Sequence, residues 1–246
     1  MCLIAFRWQP DTDTPLLVAA NRDEFYARPA APLAWWPDGR ILAGRDLQAG
    51  GSWMGVTRDG RFAALTNYRD PRDIKPGAPS RGALVAGFLA GSTGAADYLA
   101  GLRPAAAYNG FNLLLYDGRE LLGYESRADR VLRFDTGVHA VSNAAFDTPW
   151  PKVEALKAGL AIEADDDAAL FALLADPAIA PDERLPATGV PLEWERALSA
   201  ALIRTPDYGT RASTVLRLGR RTVGMTELSY ARGVPAGERS FRFELD

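Results

Sequence analysis

The sequence predicts an α+β fold in which antiparallel sheets are covered by helices, on three observations. Short apolar runs of strand length are joined by tight polar turns such as Asp59-Gly60 and Asp117-Gly118, which favour hairpins. Segments with apolar residues at helical spacing interrupt these runs at 80–102 and at 149–201. The chain has 246 residues, enough for one domain with a large core, so we expect a single domain over residues 1–246.

The first half of the chain predicts two hairpins followed by two helices. Strands are expected at 2–8 and 15–21, and at 52–58 and 61–67. Helices are expected over 80–89 and 95–102. The run Asn21-Arg22-Asp23-Glu24 is expected to end the second strand, and Asn67 to end the fourth.

The second half repeats this order of strands and helices. Strand patterns return at 111–116, 121–126, 131–134 and 139–142, and again at 212–218, 222–230 and 240–245. Helices are predicted at 149–160, with Pro149 in the first turn, and at 165–175 and 191–201. Strands alternating with groups of helices in this way are typical of sheets covered by helices.

Composition excludes several classes of function. The formal net charge is −3 with no basic stripe, which argues against a nucleic-acid partner. No apolar run approaches the roughly 20 residues of a membrane span, so we expect no integral membrane segment and a cytoplasmic protein. One cysteine and one histidine argue against a multi-ligand transition-metal site, and we predict no metal and no cofactor.

The single cysteine lies at position 2, directly after the initiator methionine. Removal of Met1 would leave Cys2 with both a thiol and a free α-amine, whose ordinary pKa values are about 8.5 and about 8. One residue would then supply nucleophile and base. The alternative is a buried apolar cysteine at the start of a strand, a common fate of a free thiol.

Polar residues at predicted strand ends supply the other candidates. Asp23 can hold a protonated α-amine, and Arg22 can orient a carboxylate or carbonyl. Asn21, Arg22 and Glu24 are predicted to bind substrate, although a solvated turn is the simpler interpretation of four such residues. The asparagine amide is a suitable donor to an oxyanion, which brings in Asn67 and Asn143. Arg211 is the last candidate at a predicted strand end, and each of Asn67, Asn143 and Arg211, taken alone, is more often a capping or turn residue.

Several runs resemble a known family. These are Met1-Cys2-Leu3-Ile4, Ala19-Ala20-Asn21-Arg22-Asp23-Glu24-Phe25, Ala43-Gly44-Arg45-Asp46-Leu47, Gly50-Gly51-Ser52-Trp53-Met54-Gly55-Val56, Leu65-Thr66-Asn67-Tyr68-Arg69-Asp70, Tyr108-Asn109-Gly110-Phe111-Asn112-Leu113-Leu114 and Tyr208-Gly209-Thr210-Arg211. Over nearly the whole chain they look like the NRDE family, the transport-and-Golgi-organisation-2 proteins. More remotely, the layout resembles the cysteine N-terminal-nucleophile (Ntn) hydrolases of the choloylglycine and penicillin V acylase group.

The resemblance implies a four-layer αββα Ntn-hydrolase-like sandwich with antiparallel sheets. It also implies catalytic roles for Cys2, Asp23, Asn67, Asn143 and Arg211. The acylase pattern separates its Arg and Asp by two residues, whereas Arg22 and Asp23 are adjacent here. One of the two is therefore expected to face away from the pocket.

Two functions are compatible with these residues. The first is an Ntn-type hydrolase or acyltransferase that acts on a small amide or acyl substrate through Cys2. The second is a haem or lipid carrier without catalysis, since the resemblance also links the chain to Golgi organisation, lipid metabolism and haem handling. Either function implies a small-molecule ligand, and the sequence leaves the oligomeric state open.

Overall fold

The computed structural model describes residues 2–246, so the predicted removal of Met1 concerns a residue outside the described range. Two antiparallel sheets contain the strands of this range. The first sheet has the order β10-β1-β2-β11-β12-β13. Its strands are β1 (Cys2–Trp8), β2 (Leu16–Phe25), β10 (Gly137–Val141), β11 (Tyr208–Leu218), β12 (Thr222–Ala231) and β13 (Val234–Glu244).

The second sheet is a simple meander of seven strands in chain order, β3 to β9. Its strands are β3 (Ala30–Trp35), β4 (Ile41–Asp46), β5 (Met54–Thr57), β6 (Phe62–Asn67), β7 (Phe111–Tyr116), β8 (Leu121–Glu125) and β9 (Arg130–Arg133). Neighbouring strands follow one another in sequence, which agrees with the tight turns that predict hairpins.

The described range contains five α-helices. They are α1 (Gly82–Ala90), α2 (Ala95–Leu102), α3 (Pro151–Ile162), α4 (Asp167–Leu174) and α5 (Leu192–Ser199). Two short 3-10 helices, Pro71–Asp73 and Asp182–Arg184, lie in the connecting loops. None of these helices is long and apolar enough to cross a membrane.

Three apolar cores separate four layers. The central core joins the inner faces of the two sheets and includes Ile4, Phe6 and Phe62. A second core packs α1 and α2 on the outer face of the second sheet, and a third packs α3 and α4 on the outer face of the first. Each fully buried Val, Leu, Ile, Phe or Met side chain in these cores stabilises the fold by about 1.5–3 kcal/mol. The predicted αββα layering with antiparallel sheets is therefore confirmed.

The structure corrects three details of the predicted elements. β2 continues through Phe25, so residues 21–24 lie within a strand instead of forming a turn at its end. β3 and β4, which the sequence pattern does not reveal, add two strands before the first strand of the predicted second hairpin. Helix α3 begins at Pro151 after an N-cap at Trp150, two residues later than the predicted start at Pro149.

Candidate active site

A cavity of about 280 Å³ opens at one edge of the sandwich, where the two sheets and one helix meet. The beginning of β1, the ends of β2, β4 and β6, and the N-terminus of α1 all contribute to its wall. Five predicted site residues line this cavity: Cys2, Arg22, Asp23, Glu24 and Asn67. The other three, Asn21, Asn143 and Arg211, do not line it.

Cys2 is the first residue of β1, and its side chain lies on the inner face of the first sheet. Alternation along the strand fixes this face, since Ile4 and Phe6 both belong to the central core. The residue is 8% exposed, and burial raises the pKa of the Cys2 thiol. Its carbonyl accepts a hydrogen bond from Ser142 Oγ at 3.2 Å. The thiol is thus held at the cavity wall by a fixed strand and is protonated near neutral pH unless a base acts on it.

Residues 21–24 alternate between the two faces of β2. Arg22 is directly opposite Cys2 in the strand pairing, so the two side chains share the inner face, as does Glu24. The side chains of Asn21 and Asp23 lie on the outer face, toward the helical layer, although Asp23 still forms part of the cavity wall at this end of β2. Because Arg22 and Asp23 are adjacent in β2, their side chains point to opposite faces of the first sheet.

Arg22 presents a buried guanidinium at the cavity wall. It is 5% exposed and stacks over the ring of Trp53, with its Cζ 4.2 Å from the ring centroid. Burial lowers the pKa of Arg22, and the neighbouring Cys2 and Glu24 oppose that shift. Among residues 2–246 we find no hydrogen bond from its side chain. Arg22 lines this cavity and also a second cavity of about 430 Å³.

Glu24 and the other carboxylate of the inner wall, Asp46, have protein partners. Glu24 Oε1 accepts the Phe25 amide at 2.9 Å, and its Oε2 lies 3.8 Å from Arg28 Nε. Asp46 Oδ2 accepts from Arg28 Nε at 2.7 Å. Glu24, Arg28 and Asp46 therefore bind one another and the main chain. A substrate that bound to Glu24 would have to compete with these contacts.

Asp23 and Lys152 are two buried ionisable residues on the helical side of the first sheet. Thr210 Oγ1 donates to Asp23 Oδ1 at 2.7 Å. Burial raises the pKa of Asp23, an effect that Lys152 opposes. Burial likewise lowers the pKa of Lys152 to about 8. Lys152 was not predicted as a site residue, because a lysine in the first turn of a helix is normally exposed.

Asn67 and Asn143 have different surroundings. The Asn67 carboxamide lies at the cavity wall, with no hydrogen bond from its side chain to other residues of the range 2–246. Asn143 is buried, and its Nδ2 donates to the Asn67 carbonyl at 2.8 Å. Ser142 Oγ lies 3.3 Å from Asn143 Oδ1 and also bonds the Cys2 carbonyl. Asn143 therefore connects Asn67 to the main chain of Cys2 and does not face the cavity.

Asn21 and Arg211 have their polar groups engaged elsewhere. Asn21 Nδ2 donates at 2.8 Å to the carbonyls of Leu174 and Ala201, so it ties β2 to the helical layer. Arg211 lies at an irregularity of β11, and its Nη1 donates to three carbonyls of the segment after β2, those of Phe25, Tyr26 and Arg28. It lines a neighbouring cavity of about 430 Å³ instead. These positions indicate structural roles for both side chains.

Arg81 and Trp53 are cavity residues that the sequence did not single out. Arg81 is the N-cap of α1, and its Nη1 donates to the Gly110 carbonyl at 3.0 Å. The signal that could have found it is the run Ser80-Arg81-Gly82 at a predicted helix start. No group of three or more His, Cys, Asp or Glu side chains within residues 2–246 is arranged to hold a metal ion.

Comparisons with known proteins place the chain in a family. The family model described as "Transport and Golgi organisation 2" matches residues 1–230. A "Transport and Golgi organization protein 2 homolog" from Bos taurus is 38% identical over 248 residues, with 88% of each chain covered. The homologue from Homo sapiens is 32% identical over 246 residues, again with 88% of each chain covered.

Among solved structures, the chain is similar to a C2A mutant of a conjugated bile acid hydrolase from Clostridium perfringens. That likeness has a TM-score of 0.46 and 11% identity, and covers 99% of this chain and 97% of the other. The family assignment depends on the sequence matches instead, which extend over most of the chain. The chain belongs to the Transport and Golgi organisation 2 family.

Proposed function

We propose that this protein is an Ntn-type amide hydrolase or acyltransferase for a small polar substrate, with Cys2 as nucleophile after removal of Met1. One observation carries the proposal: the Cys2 side chain shares a cavity with the Asn67 carboxamide and the Arg22 guanidinium, both without a protein acceptor in the described range. A nucleophile beside unoccupied donors is the arrangement that acyl transfer requires.

The reaction begins with transfer of the thiol proton to the α-amine of Cys2. The thiolate attacks the amide carbon, and the carbonyl oxygen becomes an oxyanion that the Asn67 amide stabilises. The α-ammonium then returns its proton to the departing amine as the C–N bond breaks, leaving a thioester on Cys2. Water, or an acceptor amine or alcohol, releases the acyl group and restores the thiol.

Asp23 supports the amine and Asn143 supports the amide in this scheme. The buried Asp23 carboxylate stabilises the α-ammonium that forms during attack, from the helical side of the sheet. Asn143 holds the main chain of Asn67 at 2.8 Å and so fixes the oxyanion donor. Arg211 acts more remotely, since it holds the segment that follows β2.

The composition of the cavity separates this function from the carrier alternative. Sites for haem or lipid are lined predominantly by apolar and aromatic side chains. Charged and polar residues form most of this wall, including Arg22, Glu24, Asp46 and Arg81. This lining supports a small polar amide in preference to haem or a lipid chain.

Two measurements test the proposal. Intact-mass analysis of the purified, folded protein should show loss of Met1, and full retention of Met1 would remove the amine base and refute the mechanism. A panel of activated acyl esters should then leave an acyl adduct on Cys2 in the wild type, mapped by peptide mass. The matched control is Cys2→Ala, which should carry no adduct, while Asn67→Ala should slow adduct formation about 100-fold or more.

A further inference from the structure

We propose that Arg22 and Arg81 form an anion subsite beside Cys2, so that the substrate carries a carboxylate close to its scissile amide. That the bound anion is part of a substrate rests on the proposed function, but the binding of an anion at this subsite does not require catalysis. It follows from which charges around the cavity already have partners and which do not.

Arg22 is the first half of the subsite. Its guanidinium is buried against Trp53 and makes no hydrogen bond to another residue of the range 2–246. A buried cation normally has a partner, because its desolvation is otherwise uncompensated. Stacking on an indole ring leaves the in-plane N–H donors available, and these are the donors that bind a carboxylate in a fork.

Arg81 is the second half of the subsite. It caps the nine-residue helix α1, and the adjoining residues Ser80 and Gly82 also line the cavity. Within residues 2–246 its side chain makes one hydrogen bond, to the Gly110 carbonyl, which is a neutral acceptor and forms no ion pair with the guanidinium. The positive end of the helix dipole lies at the same wall and favours an anion there.

Within residues 2–246, no hydrogen bond or ion pair joins Arg22 or Arg81 to the other charged side chains of the cavity wall, which are Asp23, Glu24, Arg28 and Asp46. Arg28 binds Asp46 at 2.7 Å and lies 3.8 Å from Glu24. Asp46 also accepts two backbone amides, those of Gln48 and Ala49, through its other oxygen. Glu24 and Asp46 are thus bound to Arg28 and the main chain, and Asp23 accepts from Thr210 on the outer face of the sheet. The Arg22 guanidinium and the remaining donors of Arg81 stay available to a ligand. Arg22 is directly opposite Cys2 in the pairing of β1 with β2, and Arg81 lines the same cavity, which places the subsite near the reacting thiol.

Selective alkylation of Cys2 tests the subsite, because the chain has one cysteine and every adduct reports on that position. Iodoacetate and iodoacetamide differ mainly in charge. The ratio of their rates should be about tenfold or more above that of N-acetylcysteine, a gain typical of a charge-assisted hydrogen bond. Arg22→Gln and Arg81→Gln should each reduce the ratio toward the free-thiol value. The ratio cancels any change in thiolate fraction, since both reagents need the same thiolate.

Arg58→Gln provides the matched control. Arg58 also stacks on a tryptophan, with Cζ 4.1 Å from the Trp35 ring centroid, and donates to a carbonyl, but it lies outside the cavity. Its substitution should leave the rate ratio unchanged. A wild-type ratio equal to that of N-acetylcysteine, or an equal loss of ratio in Arg58→Gln, would overturn the subsite.

A binding measurement keeps the subsite testable without any reaction. In Cys2→Ala, ligand-observed NMR should show N-acetylglycine binding about tenfold more tightly than the neutral N-acetylglycinamide, and Arg22→Gln or Arg81→Gln in this background should abolish that preference. Equal binding of the two compounds refutes the subsite even if Cys2 forms acyl adducts. A clear preference combined with no acyl adduct supports the subsite and refutes the hydrolase.

Discussion

The buried ion pair between Arg69 and Glu195 should dominate the stability of the helical side of the site. Arg69 Nη1 and Glu195 Oε2 are 2.7 Å apart, and the two side chains are only 4% and 5% exposed. Glu195 Oε1 also accepts from the amide and hydroxyl of Thr188 at 2.8 and 2.6 Å. Glu195→Gln keeps the shape of the side chain but removes its charge, leaving a buried guanidinium without this counter-charge.

Loss of one partner of a buried pair costs about 3–5 kcal/mol, because the remaining charge is desolvated without full compensation. For a domain of this size each kcal/mol lowers Tm by about 2–4 °C, so Glu195→Gln should melt roughly 6–20 °C below the wild type. Arg69→Met removes the other charge. The double variant should be more stable than the sum of the single effects by about 2 kcal/mol or more.

Urea denaturation of the four proteins in this cycle measures the coupling free energy. The exposed pair Arg184–Glu154, at 2.6 Å with side chains 54% and 50% exposed, is the matched control. Glu154→Gln should change the free energy of unfolding by less than about 0.5 kcal/mol, since solvent screens an exposed pair. A coupling below about 0.5 kcal/mol for the buried pair would show that its charges do not stabilise each other and refute the reasoning.

Three further predictions address other groups. Between pH 7 and 10, the free energy of unfolding of the wild type, measured by urea denaturation, should rise by about 2–3 kcal/mol relative to that of Lys152→Met. The reason is that the Lys152 pKa of about 8 in the folded state lies below its unfolded value, so the unfolded chain binds more protons in that window. An unchanged difference between the two proteins would contradict burial of the Lys152 charge. NMR titration of His139, the only histidine, should give a pKa above 6.5, and this pKa should fall in Asp147→Asn because Asp147 Oδ2 lies 2.9 Å from His139 Nδ1. The stability that the protonated imidazole contributes is present below the unfolded-state pKa of His139 and is lost as the pH rises through the folded-state pKa. Gly51→Ala should destabilise the fold by about 1–3 kcal/mol, measured by thermal melting, because the new Cβ collides with the backbone of Gly82 at the start of α1.

Local patterns were sufficient to predict much of the fold. β1 and β7 have the predicted limits, and α2 does as well, because each has a clear hydrophobic period and flanking turn residues. β3 and β4 were not predicted, since Pro32 and Gly44 weaken the strand pattern. Their strand conformation depends on pairing within the second sheet.

The site required contacts that are distant in sequence. Asn21 and Asp23 look like turn residues, but β11 pairs with β2 and supplies their partners, Ser213 and Thr210. These hydrogen bonds compensate the burial of Asn21 and Asp23 within the strand, and the sequence alone does not reveal them because the partners are distant in the chain. Lys152 was missed for the same reason, because the burial of its ammonium arises only when α3 packs on the first sheet.

The adjacency of Arg22 and Asp23 gives the two charges separable functions in the proposed site. Arg22 shares the inner face with the Cys2 thiol, whereas Asp23 lies on the outer face with Thr210 and Lys152. Substitution of Arg22 should therefore change anion selectivity at the thiol and leave the titration of the α-amine largely intact. Substitution of Asp23 should lower the pKa of the α-amine, because a stabilising carboxylate is lost, while the iodoacetate to iodoacetamide ratio stays the same. If both substitutions changed the same property, the two faces of β2 would not act independently, and the assignment of one charge to each side of the sheet would be wrong.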